Sequence, residues 1–520
     1  MSAAIHRRAS LVLTLALALS AVMAALMPSA ASALAAPTTL NVDAAVSAVS
    51  CPMVGECSAV GTYEAQGGEP LGMLLTQLGG VWVSSTAAKL PGGAASYPNV
   101  SFASISCPTA GNCTAVGNYV DDHYDQQGLM FNQRSGGWRA GVRTSLPAGA
   151  AGNPQVALQS ISCATPGNCT AVGSYVNAAG DTSALLVSQK DWSWDSGQTV
   201  PLPAGASAAP SSALDSVSCR RAGDCTAVGW YTDQSGAIQG LLLTQAGGSL
   251  RASEAALPAG AAGEPNVSLS SVSCASPGDC TAVGDYTDSS GNQLGLLLTQ
   301  SSGGWGAGAQ PQLPANALAT QSTTLNSVTC TGSGYCTAVG EYVDDTKSVQ
   351  GLLLTQSGGG WTPGTEAVLP ANANGNQDTS LYSVSCWAYE TCVVAGTYFA
   401  SHPVALLLSE TTGRWKLPVV GALPPGAAAN PYTALTAVSC SPTGGYCLAA
   451  GEYQDNAANG QGVLIEGDGL YWREGLLAPL PGGLVSAISR RARTRANRRH
   501  PAEKRGKKIA KTATRPHKTR

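Results

Sequence analysis

Sixteen cysteines set in eight close pairs constrain this chain more than any other feature. The pairs are Cys51/Cys57, Cys107/Cys113, Cys163/Cys169, Cys219/Cys225, Cys274/Cys280, Cys330/Cys336, Cys386/Cys392 and Cys440/Cys447. Seven enclose five residues and the last encloses six, and first cysteines recur every 54 to 56 residues. The period marks eight copies of one structural unit.

Each unit reads alike. An alternating run ends at the first cysteine, as in Ala103-Ser104-Ile105-Ser106-Cys107, and the turn before the second is commonly Gly-Asn or Gly-Asp. Thr-Ala-Val-Gly-x-Tyr follows, then a polar turn. Next comes an apolar run such as Gly240-Leu241-Leu242-Leu243-Thr244-Gln245. A Gly-rich turn leads to Trp in most units, and a weaker extended stretch ends in Leu-Pro. These are four strand-like runs bounded by turn residues, too short for stable helices. The Leu-Leu-Leu run is apolar on successive positions, so both of its faces are expected to be buried between neighbouring sheets.

Four-stranded units that each need a neighbour predict radial repetition. The expected fold is all-β: an eight-bladed β-propeller over residues 37–483, with one four-stranded blade and one local disulfide per unit. Seven blades plus a stray unit, or two smaller rings, fit the count, but no linker marks either. No strand exchange is evident at the ring closure. Residues 39–46 are free to add a strand to the last blade.

The cysteine chemistry follows from context. An even count in an exported chain reads as disulfides. Zinc is the rival, but the C-x5-C spacing departs from C-x2-4-C, and only His123 and His402 lie in the repeats. No metal or cofactor is expected. Export itself is read from residues 1–36. His6, Arg7 and Arg8 precede an apolar run from Leu11 to Met27, then A-x-A options at Ala31–Ala33 and Ala33–Ala35. The alternative is an uncleaved anchor; no later stretch is long and apolar enough to span a bilayer.

The net charge of −3 conceals two unlike regions. Residues 484–520 carry fourteen Lys/Arg and one acid, Glu503, whereas 37–483 carry twelve Lys/Arg and thirty acids. The basic tail is too polar to pack a core and is expected to be disordered when free. It suits anionic envelope polymers or acidic glycans through salt-sensitive attraction. It has no aromatic residue for base stacking, so specific nucleic-acid recognition is not expected. The plain alternative is a solvated tail.

Two resemblances stand out. The Ser-Cys-Pro-x3-[Asn/Glu]-Cys-x-Ala-Val-Gly core, as in Ser106 to Gly117, resembles repeats of secreted bacterial, chiefly actinobacterial, proteins. The turns Ser135-Gly136-Gly137-Trp138, Ser301-Ser302-Gly303-Gly304-Trp305 and Ser357-Gly358-Gly359-Gly360-Trp361 are similar to a degenerate Asp-box of sialidase-like propellers. The box's aspartate is missing here, and in that family the box is a structural turn, so the likeness implies architecture and not catalysis.

Candidate binding residues repeat with the fold. A tyrosine ends the second strand of every unit, and acids often follow it: Tyr119 with Asp121 and Asp122, Tyr231 with Asp233, Tyr286 with Asp288, Tyr342 with Asp344 and Asp345. On one propeller face these residues would form stacking platforms beside carboxylates, a surface for glycans or cations. The competing reading makes them packing residues and turn formers. Asp288-Ser289-Ser290-Gly291-Asn292 hints at a calcium loop but lacks the EF-hand spacing and closing glutamate.

No catalytic residue is assigned. Arg134, Arg139 and Arg143 lie together in an outer region and Arg220 and Arg221 in a disulfide turn, neither resembling a central triad for a substrate carboxylate. No nucleophile elbow, P-loop or H-E-x-x-H occurs. Trp230, His123, His402, Trp387 and Tyr389 break the repeat. The expected function is a secreted, non-catalytic binding or scaffold module at the cell surface; a carbohydrate-active hydrolase of sialidase-like architecture is the alternative. Unlike charges clustered at one end of the central channel would mark the enzyme. An eightfold similar, uncharged mouth would mark the binder.

Overall fold

The structure is a computed structural model that describes residues 43–65, 67–375 and 378–483. The export signal assigned to 1–36 and the basic tail from 484 onward lie outside the described residues. Among the described residues every element is a strand except one 3-10 turn at Pro481–Gly483. No helix among them is long and apolar enough to cross a membrane.

Eight antiparallel sheets follow one another along the chain, each in the order first-second-third-fourth strand. In blade 1 these are β1 (Ala44–Met53), β2 (Glu56–Glu64), β3 (Pro70–Leu78) and β4 (Val81–Ala87). Blades 2 to 8 begin at Ser101, Ala157, Ser212, Ser268, Thr323, Ser380 and Ala434. The first strands of successive blades pack on one another, and that of blade 8 packs on β1, so they are the innermost strands of a closed ring.

The apolar third strands are buried on both faces, as their composition requires. Leu241, Leu242 and Leu243 are each at most 1% exposed, and Leu296, Leu297 and Leu298 at most 2%. Each such side chain stabilises the ring by roughly 1.5–3 kcal/mol. The apolar clusters span blade boundaries: Val228 and Leu242 of blade 4 pack with Val272, Tyr286 and Leu296 of blade 5.

All eight expected disulfides form, each within its own blade: Cys51–Cys57, Cys107–Cys113, Cys163–Cys169, Cys219–Cys225, Cys274–Cys280, Cys330–Cys336, Cys386–Cys392 and Cys440–Cys447. They belong to the core and not to the surface. Cys57, Cys113, Cys169, Cys225, Cys392 and Cys447 are at most 5% exposed, and each packs in the apolar cluster of its blade. Alternation along the second strand puts them there, because the second cysteine shares a face with the residues two, four and six places on. In blade 1 these are Cys57, Ala59, Gly61 and Tyr63.

In blades 1 to 7 the hairpins are tighter than the five residues between the cysteines, because the strands run past the cysteines: Ser276 faces Asp279 and only Pro277 and Gly278 form the tip. In blade 8 the strands stop at Cys440 and Cys447. The Asp-box-like turns lean on these tips, as where Gly303 N–H donates to the Gly278 carbonyl at 2.8 Å.

Adjacent blades are laced by serines of the innermost strands. Ser50 accepts from Cys107 N–H at 3.1 Å, Ser106 from Cys163 at 3.0 Å and Ser218 from Cys274 at 3.1 Å. Ser439 of blade 8 accepts from Cys51 N–H of blade 1 at 3.0 Å, so the ring closes with the same bond. Gln77 adds bonds of 2.7 Å to both Tyr446 and Glu466. Of the segment 39–46, residues 39–42 lie outside the described residues; among those described, Ala44, Ala45 and Val46 pair with Tyr63, Thr62 and Gly61 inside blade 1 and not with blade 8.

The fourth strand is the weakest, as its sequence suggests. It is continuous only as β4 and Ser249–Glu254 among the described residues; elsewhere it begins as a two-residue pairing around Trp or, in blade 8, consists of Leu476–Leu477.

Candidate functional site

The Val-Gly-x-Tyr motif builds the mouth of the central channel. Its glycine lies against a bulge in the innermost strand, where a Cβ would come within 1.8 to 2.3 Å of a backbone carbonyl oxygen in all eight blades. Only glycine lets the bulged backbone come so close. Each bulge leaves one residue out of the pairing: Ser47, Ala103, Gln159, Asp215, Ser270, Asn326, Tyr382 and Thr436. Because bulges re-aim side chains and end regular pairing, they recur beside binding sites. Here one backbone position presents eight side chains of seven kinds.

The x residues lie opposite the same segment: Thr62, Asn118, Ser174, Trp230, Asp285, Glu341, Thr397 and Glu452. Several reach the next blade. Asn118 Oδ1 accepts from Leu158 N–H at 3.0 Å. Gln293 Nε2 donates to Asp285 Oδ2 at 2.9 Å and to Thr324 Oγ1 at 3.2 Å. Glu341 interacts with Ser380. The bulge residue Asn326 donates to the Leu381 carbonyl at 2.9 Å, and Thr397 donates to the hydroxyl of Tyr382 at 3.3 Å.

The charged residues at the bulge and x positions are all acidic. Burial pushes the carboxyls of Asp215 and Asp285 up to about 6. Burial also raises Glu341, with Asp378 adding to it, and raises Glu452, with Asp43 adding to it. The three ion pairs among the described residues, His123–Asp122, Arg143–Asp121 and Arg473–Glu466, include none of these acids. The mouth is therefore neither a set of unlike charges nor an eightfold neutral ring. Its acids occupy blades 4, 5, 6 and 8, beside Trp230 and Tyr382.

The opposite end carries a cation. Arg220, in the disulfide turn of blade 4, donates through Nε to the Cys274 carbonyl and through Nη2 to the Cys330 carbonyl at 3.4 Å. It thus reaches across blades 5 and 6 at the disulfide end of the channel.

The expected tyrosine ring is placed otherwise. Tyr119, Tyr231, Tyr286 and Tyr342 are at most 1% exposed and sit in the inter-blade clusters. Their hydroxyls are used internally: Tyr231 bonds Glu254 at 2.5 Å, Tyr342 bonds Glu366 at 2.8 Å, and Gln310 donates to Tyr286 at 2.5 Å. Buried rings offer no stacking face to a ligand, so these residues are packing anchors. The pleat explains this: the glycine and tyrosine of the motif share the core face, and x takes the other. The cysteines that open the second strands, from Cys57 and Cys113 to Cys392 and Cys447, lie on that same core face and present no sulfur to a ligand. Their role is the staple alone.

Most of the aspartates close their own turns. Asp233 Oδ1 accepts from Ser235 and Ala237 N–H at 2.8 and 3.0 Å, and Oδ2 from Gln239 Nε2 at 2.8 Å. Asp121 and Asp344 repeat the pattern with Gln127 and Gln350, and Asp288 with Asn292. The Ser235 and Gln239 side chains lead in holding Asp233 down to about 2. Asp122 and Asp345 remain exposed. Asp121, Asp122 and His123 form the one cluster of three possible metal ligands among the described residues. Asp121 is already engaged by two backbone amides and Gln127.

The arginines expected together are split by their partners. Arg143 approaches Asp121 at 3.5 Å, whereas Arg134 stacks over Trp192 at 4.5 Å. Tyr389 meets Tyr335 edge-on at 4.8 Å, and His402 bonds Ser401 at 3.0 Å. Trp387 packs with the cluster joining blades 7 and 8. A cleft of about 230 Å³ opens between blades 5 and 6 at the disulfide end, lined by Asp279, Gln300 and Ser333. Asp279 there is bound by Ser276 at 2.6 Å and Ser333 at 3.2 Å.

Sequence reasoning passed over Asp215, Asp285, Glu341, Glu452, Asn326 and Tyr382. The signal was available in the unit-to-unit comparison: these are the two positions where small polar residues alternate with acids, Trp and Tyr.

No protein-family profile matches the chain, and no curated protein matches it. Solved structures align with it over much of its length at low identity. The C-terminal WD40 domain of Sif2 is 8% identical, covering 82% of this chain and 97% of its own, with a TM-score of 0.41. A PL25 polysaccharide lyase, an ulvan lyase bound to -[GlcA(1-4)Rha3S]-, is 10% identical, covering 68% and 90%, at 0.40. The SapL1 lectin in complex with alpha methyl fucoside is 13% identical, covering 63% and 96%, at 0.32. The assignment of the fold rests on the chain's own geometry: eight disulfide-stapled four-stranded blades closed into a β-propeller.

Proposed function

We propose that this chain is an exported, non-catalytic binding module whose recognition surface is the channel mouth formed by the bulge and x residues. The observation that carries the reading is the combination of one repeated backbone geometry with unlike, single-signed side chains. Scaffold positions repeat because packing repeats; the mouth positions do not. Acids kept in a partly desolvated setting without cationic partners favour a ligand that brings positive charge. Trp230 and Tyr382 add faces suited to a sugar ring or an ammonium group. The ligand class is an amine-bearing glycan or envelope polymer. Eight disulfides agree with an oxidising, extracellular setting, as does the likeness to secreted bacterial repeat proteins. The tail beyond residue 484, with its fourteen Lys/Arg, is assigned a separate, salt-sensitive hold on anionic polymer.

The test compares chitosan oligomers with their fully N-acetylated counterparts, using the full chain and Asp215→Asn/Asp285→Asn. Binding is expected to favour the free amine, to weaken at least tenfold in the double variant at about pH 6.5, where the amines and the carboxyls are both substantially charged, and to weaken as pH falls below about 6 and the carboxyls are neutralised. Equal binding of acetylated and deacetylated oligomers, or equal binding by the variant, would refute the cationic-ligand reading.

A further inference from the structure

The inner edge of the ring has a regularity of its own. The two cysteines of each blade lie 3.9 to 4.2 Å apart at Cα. That is the close spacing of a cross-strand pair that exchanges no main-chain hydrogen bonds. The first cysteine therefore turns its N–H and C=O away from the second strand, toward the channel. A serine of the preceding blade takes the N–H, as Ser218 does for Cys274 at 3.1 Å and Ser273 for Cys330 at 3.0 Å. The carbonyl oxygen faces the channel. The residue two places earlier repeats the orientation: Val272 and Val328 give their N–H groups to Ser216 and Ser271 at 3.1 and 3.3 Å. The wall thus carries two tiers of carbonyl oxygens about 6.6 Å apart along the strands, with bulge residues such as Asp215 a similar step beyond the upper tier.

Arg220 shows what these oxygens accept. Its guanidinium donates to the Cys274 carbonyl through Nε and to the Cys330 carbonyl through Nη2 at 3.4 Å, so one cation bridges two adjacent blades in the lower tier. It enters none of the three ion pairs among the described residues. At the mouth, Asp285 is 7% exposed and its Oδ2 is held by Gln293 at 2.9 Å, which leaves Oδ1 to accept. Burial raises the Asp215 carboxyl with no hydrogen bond set against it. Acids at one level and carbonyls at the next suit positively charged donors.

We propose that the channel takes a linear alkyl polyamine end-on, with one ammonium group beside Asp215 and Asp285, the next at the upper tier of carbonyls, and Arg220 filling the lower tier as a stop. This use of the channel rests on the mouth being a cation site and extends that site down the wall. A butyl spacer matches the step between levels, and each ammonium brings three donors to groups that only accept. A third nitrogen meets Arg220 in the lower tier, where like charges repel.

Calorimetric titration of the full-length chain with putrescine, N-acetylputrescine and spermidine tests this. At about pH 7.5 the alkyl amines are charged and the mouth acids ionised, and about 0.15 M salt screens loose surface attraction. Putrescine is expected to bind the parent at least tenfold tighter than N-acetylputrescine, with spermidine within about threefold of putrescine. Arg220→Ser frees the lower tier, so that variant is expected to bind spermidine at least tenfold tighter than putrescine. Asp285→Asn, which keeps the side-chain shape, is expected to weaken putrescine at least tenfold while melting with the parent. Failure of the parent to bind putrescine overturns the proposal. So does equal binding of spermidine and putrescine by Arg220→Ser, or putrescine binding that Asp285→Asn leaves unchanged. If chitosan oligomers bind and putrescine does not, the wall is overturned and the mouth stands; if neither binds, both fall.

Discussion

Replacing Gly284 with alanine tests the geometry on which the channel mouth depends. A Cβ on Gly284 would lie 1.9 Å from the Ser268 carbonyl oxygen and 2.9 Å from Leu269 Cα. An ordinary C···O contact is about 3.3 Å, so the innermost strand must retreat by about 1.4 Å. Both opposing atoms belong to the backbone, so no rotamer change relieves the overlap. Retreat strains the pairing of Ser268 with Asp285 and of Leu269 with Gly284, and it disturbs Leu269, which is fully buried. Overpacking costs about 1–3 kcal/mol and each weakened ladder bond about 1 kcal/mol more. The lower unfolded-state entropy of alanine returns roughly 0.5–1 kcal/mol. The net loss is about 3 kcal/mol, which for roughly 440 residues lowers Tm by about 3 °C. Calorimetry under non-reducing conditions reads the shift. Gly304→Ala is the control, because its Cβ meets only the Ser301 carbonyl oxygen, at 3.8 Å, and its Tm is expected within about 1 °C of the parent. If Gly284→Ala melts with the parent too, the close approach of bulge and motif glycine is not what the Val-Gly-x-Tyr pattern encodes.

Glu410 occupies the third-strand position held by Gln77, Gln133, Gln189, Gln245, Gln300 and Gln356 in the first six blades. It is 2% exposed, its Oε2 has no hydrogen-bond partner, and burial, with Glu390 adding, pushes its carboxyl up to about 7. A carboxyl raised on folding favours the native state most below its unfolded value and loses that contribution as pH rises through about 7. Glu410→Gln is therefore expected to gain on the order of 1–2 kcal/mol at pH 8 relative to pH 4.5. Melting curves of parent and variant that stay parallel from pH 4.5 to 8 would contradict this. Replacing Cys274 and Cys280 together by serine is expected to cost about 2 kcal/mol, the chain-entropy value for so small a loop. A peptide map of the nonreduced protein should show Cys274 linked to Cys280 and no linkage between units; a cross-unit linkage would refute the local pairing.

The ring was legible in the sequence because its causes are local and repeated. The cysteine spacing located the hairpins, and the Leu-Leu-Leu runs located strands buried on both faces, as Leu241 to Leu243 confirm. The mouth was not legible for two physical reasons. A bulge is a property of two strands together: nothing in Leu214-Asp215-Ser216 alone says that Asp215 drops out of register opposite Gly229 and Val228. The glycine was visible in every unit, but the close approach that requires it is a tertiary distance. Tyrosine misled in the opposite way. Its aromatic ring and its place beside acids suit a binding surface, yet the pleat of Val-Gly-x-Tyr turns Tyr231 inward and Trp230 to the other face.

Repetition itself separates scaffold from surface here. A residue that must be the same in all eight blades answers to packing common to all eight: the cysteines, the motif glycine, the buried tyrosine. A ligand without eightfold symmetry can be read only by positions that escape that requirement. The bulge provides such a position, because the residue it ejects from the ladder owes nothing to strand pairing. Asp215, Asn326 and Tyr382 can therefore differ without disturbing the bonds that hold Ser216, Ser327 and Ser383 to the next blade at 3.1, 3.3 and 3.2 Å. The serine one place beyond the bulge fastens the ring, and the bulge residue is released to vary. The same device that makes the repeat monotonous in sequence gives its channel mouth an irregular chemistry.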